Sequence, residues 1–169
     1  MSYGGGVGRV LRLVAAGAAA LICAAPASAH TDSGPGLSLE WPASGTITRG
    51  FGYDGGEWHA GIDIGTLRSL DITAAAPGVV EAIGYAPTFE GYGNVVLVDM
   101  DHGLQALYAH LSEVGVTVGE QVSTGERLGL AGCTGYCTGT HLHFEVRSHG
   151  VEFDPSPLLP ATIPEPEGG

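Results

Sequence analysis

From Gly45 to about Phe153, apolar and polar residues alternate in short runs, each closed by glycine or a polar turn. Gly78–Tyr85, Asn94–Met100, Leu104–His110 and His141–Arg147 are rich in Val, Leu, Ile, Phe or Tyr. Such short runs, with one side apolar, are the signature of strands. Asp101-His102-Gly103 separates two of them, and Ser148-His149-Gly150 precedes Val151-Glu152-Phe153, so both triplets predict hairpin turns. No stretch keeps a helical period beyond roughly two turns. The expected class is mainly β, in one domain.

The flanks read differently. Arg9 and Arg12 precede an apolar, alanine-rich run from Leu13 to Ala25 and then Pro26-Ala27-Ser28-Ala29. A positive flank, a short apolar stretch and small residues before a cut are the marks of a secretory leader. Residues 1–29 are therefore expected to be a signal peptide cleaved after Ala29, leaving no membrane span. The competing reading is a retained anchor, but an alanine-rich run of this length sits at the lower limit for crossing a bilayer. Residues 30–44 are expected to be a lead-in whose Leu37, Leu39 and Trp41 pack on the body. Residues 45–159 then form the folded domain and 160–169 a Pro-rich tail.

Charge and composition narrow the chemistry. The chain has 169 residues, 18 acidic against 6 basic side chains, and a net charge of -12. All six basic residues are arginine. So acidic a chain does not suit nucleic acid, which needs a basic face. The absence of lysine excludes Schiff-base chemistry and a carrier role with lysine-linked biotin or lipoate. Leader removal would take away Arg9 and Arg12, leaving 4 arginines against 18 acids, a charge of -14. Cys133 and Cys137 would then be the only cysteines. In an oxidising exterior such a pair predicts a disulfide pinning one loop.

Three segments carry unusual side chains. If Trp58–Ile64 is one strand, His59, Gly61 and Asp63 share a face, with Gly61 leaving room for an ion between imidazole and carboxylate. Along His141–Val146, Leu142, Phe144 and Val146 face the core while His141, His143 and Glu145 share the other side. Neighbouring imidazoles repel when protonated, and a metal, which needs them neutral, relieves that. The third segment places Tyr108 and His110 together, opposite Leu107, Ala109 and Leu111. A catalytic zinc takes three protein ligands and leaves a fourth position open, and spare imidazoles can move protons or stabilise an oxyanion. A closed structural zinc built from Cys133, Cys137, His141 and His143 competes with this, but leaves His59, Asp63 and His110 unexplained.

His59-x-Gly-x-Asp63, Tyr108-x-His110-Leu111 and Thr138–Val146 resemble, in order, the signature blocks of the lysostaphin-like (beta-lytic) zinc metallopeptidases. The resemblance covers about Gly45 to Leu159. It implies an antiparallel β-sheet with a groove and one zinc per chain held by His59, Asp63 and His143. His110 and His141 would form the catalytic pair, with either one accepting the proton. Asn94 matches a family position near the site, and Glu145 could buttress a ligand imidazole or pair with Arg147 or Arg127. The implied substrates are peptide bonds in peptidoglycan stems or cross-bridges, cleaved outside the cytoplasm by a monomer. The alternative is a non-catalytic peptidoglycan-binding or hydrolase-activator module of the same fold. Two departures stand out: Thr140 replaces a usual proline, and Thr66–Thr73 fits the family's turn poorly.

Overall fold

The computed structural model describes residues 38–85 and 90–164. The expected leader and Leu37 lie outside the described residues. Twelve strands follow in order: β1 (Thr46–Arg49), β2 (Gly52–Asp54), β3 (Glu57–His59), β4 (Ile62–Gly65), β5 (Asp71–Thr73) and β6 (Gly78–Gly84). Then come β7 (Asn94–Asp99), β8 (Leu104–Val114), β9 (Gln121–Val122), β10 (Arg127–Ala131), β11 (Leu142–Ser148) and β12 (Val151–Phe153). Among the described residues there is no α-helix, only a short 3-10 turn at Ser156–Leu158. The class is mainly β, as the alternation implies.

Ten strands form one antiparallel sheet along the path β1-β4-β11-β8-β7-β6-β9. β12 pairs with β11, and β10 joins both β8 and β5. β2 and β3 form a separate two-stranded ribbon. The register puts Phe144 opposite Tyr108 on one side and Ile62 on the other, so three strands deliver their apolar faces to one core. Ile62, Ile64, Tyr108, Leu142, Phe144 and Val146 are all fully buried there. Burial of each such side chain is worth about 1.5–3 kcal/mol. A smaller cluster of Val95, Leu97, Leu107 and Ala109 occupies the opposite face. Leu39 joins the main core, its N–H donating to the Leu158 carbonyl at 2.9 Å.

Two local expectations are corrected. His59 and Asp63 do not share a strand: β3 ends at His59 and β4 begins at Ile62. Gly61 does not leave room for an ion either, because a Cβ there would lie 2.3 Å from the Phe144 carbonyl oxygen. Its missing side chain lets the chain cross close against β11, which brings Asp63 to His143.

Tyr108 and His110 also part company. Alternation along β8 places both on one face, yet Tyr108 is fully buried in the main core, where its hydroxyl oxygen accepts the Ala75 N–H at 2.8 Å. Tyr108 is thus a core residue rather than a groove residue. His110 escapes because its φ is 63°, in the left-handed region, and the pairing with β7 shifts register between Asn94 and Val96. A β-bulge of this kind re-aims a side chain.

Candidate metal centre and groove

The antiparallel pairing of β4 with β11 sets Asp63 directly across from His143. β3 delivers His59 to the same point. His59 Nε2 lies 3.1 Å from Asp63 Oδ1 and 3.0 Å from His143 Nδ1, and His143 Nδ1 lies 2.8 Å from the same Asp63 oxygen. The three side chains form a group able to hold a metal ion.

The hydrogen bonds behind the rings decide what the inward nitrogens offer. His59 Nδ1–H donates to the Gly50 carbonyl at 2.7 Å, and a carbonyl can only accept. His143 Nε2–H donates to Glu145 Oε1 at 2.9 Å. Each neutral ring therefore turns a lone pair inward, toward the other and toward a carboxylate oxygen. Three electron-rich atoms at such separations need a cation among them. Without metal, a proton fills that need. Burial opposes charge on His143, but hydrogen bonds to Asp63 and Glu145 outweigh it and raise its pKa. Burial likewise works against ionisation of Asp63, yet the bonds to His143 and His59 prevail and hold its carboxyl far below the usual range. Two imidazoles and one carboxylate match the ligand chemistry of zinc.

Behind His143 lies a buried charged network. Glu145 is fully buried and accepts from His143, from the Tyr92 hydroxyl at 2.6 Å and from Arg147 Nε at 2.7 Å. It both braces the His143 imidazole and pairs with Arg147. Burial opposes its charge, but these donors hold its pKa low. Tyr92 is pushed well above the ordinary phenol value by burial and the adjacent Glu145 carboxylate. Its ring stacks beside His110 and meets His143 edge-on.

His110 and His141 come together next to the three-residue cluster, ring centroids 4.7 Å apart. His110 Nδ1–H donates to the Thr134 carbonyl and His141 Nδ1–H to the Gly139 carbonyl, each at 2.7 Å. Nε2 is then the unprotonated nitrogen of each neutral ring. Burial lowers the pKa of His110, so it is neutral near pH 7. His141 Nε2 lies 3.8 Å from Asp63 Oδ1. All five side chains line a groove of about 720 Å³, walled by Arg49, Trp58, Tyr92 and Tyr136.

Asn94 does not line this groove. Its Nδ2–H donates to the Leu111 carbonyl at 3.1 Å, bracing the bulge that turns His110. Cys133 and Cys137 are joined in a disulfide, which takes both from the alternative closed zinc site. Thr134, Gly50 and Tyr92 were not identified from the sequence, whereas Arg147 was named there as a partner for Glu145. Two act through backbone carbonyls, for which no residue type is a signal. Tyr92 became visible only once Glu145 was found buried.

An antiparallel sheet that presents this His-Asp-His group at an open groove has the lysostaphin-like fold. Residues 57–155 match Peptidase family M23, and the chain belongs to that family. It is 38% identical over 109 residues to the DD-carboxypeptidase/endopeptidase Mpg of Neisseria meningitidis serogroup B, covering 64% of this chain and 24% of that protein. It is 33% identical over 134 residues to the murein hydrolase activator NlpD of Salmonella dublin, covering 79% of this chain and 34% of that protein. The chain thus spans only about a quarter to a third of these curated relatives. A zinc-containing peptidase from Vibrio cholerae superposes with a TM-score of 0.61 at 28% identity, over 76% of this chain and 40% of that one.

Proposed function

We propose that this chain is a zinc metalloendopeptidase that hydrolyses peptide bonds of peptidoglycan outside the cytoplasm. The observation that carries the reading is the convergence of His59 Nε2, Asp63 Oδ1 and His143 Nδ1 beside two further imidazoles in one open groove. The three ligands bring a single negative charge. Bound to them, zinc would supply Lewis acidity toward a peptide carbonyl and a water in the groove. His110 and His141 do the proton work, each with an anchored Nδ1–H and an Nε2 ready to accept. Either can take the proton of the attacking water and return it to the leaving amine. Glu145 holds His143 in the tautomer a metal requires. The leader-like N-terminus and the disulfide support action outside the cytoplasm, where the polymer lies.

The test is a zinc titration followed by mass spectrometry of fragments released from walls of several compositions. Chelation should abolish release, and one zinc per chain should restore it. H141A should keep its zinc yet lose turnover by about 10²–10⁴-fold, the usual contribution of a general acid–base group. The likeness to a murein hydrolase activator names the contrary result: a zinc-loaded protein that frees no fragments but accelerates an added murein hydrolase is an activator.

A further inference from the structure

Both imidazoles assigned to proton transfer hang from one short loop. The Thr134 carbonyl accepts from His110 and the Gly139 carbonyl from His141; the Cys133–Cys137 disulfide encloses Thr134 and ends two residues before Gly139. Thr134 is tied down further. Its Oγ1–H donates to the Leu111 carbonyl at 2.9 Å, and the same oxygen accepts the Asn94 N–H at 2.9 Å. Tyr136 N–H donates to the Gly91 carbonyl at 2.7 Å. Gly93, at φ 68°, lets the chain come so close that a Cβ would lie 2.4 Å from Thr134. At the far end, the Cys137 sulfur lies 3.4 Å from the same Gly139 oxygen that holds His141. None of the three metal-site side chains is anchored to this loop: His59 is held by Gly50 and His143 by Glu145.

We infer that the disulfide-closed loop Cys133–Cys137, with Thr134, is a positioning device that sets both His110 and His141 for proton transfer independently of metal binding. The inference rests on the peptidase reading, but its consequence is separate. Opening the loop releases the two carbonyls that fix the working tautomers, while His59, Asp63 and His143 keep their supports. An ångström of misplacement of a catalytic group can cost on the order of 10²-fold. Reduction of the disulfide would accordingly lower turnover without lowering zinc content.

The experiment compares the parent with C133S/C137S and with T134V, which keeps the disulfide and loses only the hydroxyl. Zinc content, the Michaelis parameters on a soluble muropeptide, and the imidazole nitrogen resonances of the zinc-loaded proteins are measured. The expected result for both variants is a kcat lower by at least about tenfold, KM within about twofold, and one zinc per chain. The His110 resonances should shift from the Nδ1–H form toward tautomer exchange in both variants, and those of His141 in C133S/C137S. If C133S/C137S does not fold, T134V and parent protein treated with a non-chelating phosphine reductant carry the same comparison. Unchanged kcat and unchanged resonances in a folded variant overturn the inference. An inactive parent whose resonances still shift on opening the loop refutes the peptidase reading and leaves the positioning role standing.

Discussion

Glu145 is the residue on which the centre turns. It is buried, charged and surrounded by donors from His143, Tyr92 and Arg147. E145Q keeps the shape but removes the charge that Arg147 and His143 face. Removing one partner of a buried pair costs about 3–5 kcal/mol, because the other charge is left uncompensated. Loss of a ligand's supporting carboxylate lowers metal affinity about 10–100-fold. Urea unfolding of the chelated protein and a competition titration with a zinc indicator would read the two effects separately. The pH dependence of the metal-free protein follows from the same group. Asp63 and Glu145 have depressed pKa values, so their stabilisation is present above the ordinary 3.8 and 4.5 and is lost as pH falls. His143 has a raised pKa, so its contribution is complete below the ordinary 6.5 and is lost as pH rises through the folded value. On these three groups the chelated protein should be most stable between pH 4.5 and 6.5, while His110, whose pKa burial lowers, takes stability away as pH falls below 6.5. Zinc, which replaces the proton, should raise Tm more at pH 8 than at pH 6, as calorimetry would show.

At the level of single elements, β8 is the informative strand. His110 holds a left-handed backbone without being glycine, at a cost of about 1–2 kcal/mol. H110G relieves that strain and H110A does not. The glycine variant should unfold at higher urea than the alanine variant by the equivalent of about 1 kcal/mol, while both lose turnover. The same bulge marks what the sequence could and could not disclose. β6, β7 and β11 were legible from their alternation, and the common face of His141, His143 and Glu145 followed from period two alone. Alternation failed at His110 because a bulge adds one residue to the count without any change in residue type. It failed again at Gly61, where the glycine serves a close crossing against Phe144 that no local pattern encodes. The break between β3 and β4 is invisible for the same reason: His59 and Asp63 meet through the sheet partner of β4, not through shared strand geometry. The five candidate side chains were legible from the three segments, but their division into metal ligands and a catalytic pair came only from the resemblance to family blocks. Their anchoring carbonyls at Gly50, Thr134 and Gly139 were not, since any residue offers a carbonyl.

Over the whole molecule, charge would set how the proposed wall polymer is met. If residues 1–29 are removed as the expected leader, the chain would carry -14, and cell walls are commonly polyanionic. Protein and polymer would then repel at low ionic strength, and the repulsion fades as the Debye length shrinks from about 30 Å at 0.01 M to about 8 Å at 0.15 M salt. Release of fragments from intact walls should rise over that range, while hydrolysis of a small neutral peptide should stay flat. A turnover assay on both substrates across a sodium chloride series would separate the two.

Asp63 and His143 are 80 positions apart, and His59 and His143 are 84 apart. Sheets assembled from such distant partners form slowly, after the loss of chain entropy on closing long loops. No nascent or half-folded chain can present the three donor atoms at once. On the peptidase reading, a newly made molecule would consequently stay inert toward peptidoglycan until β4 has zipped onto β11, and ion capture would wait for that pairing.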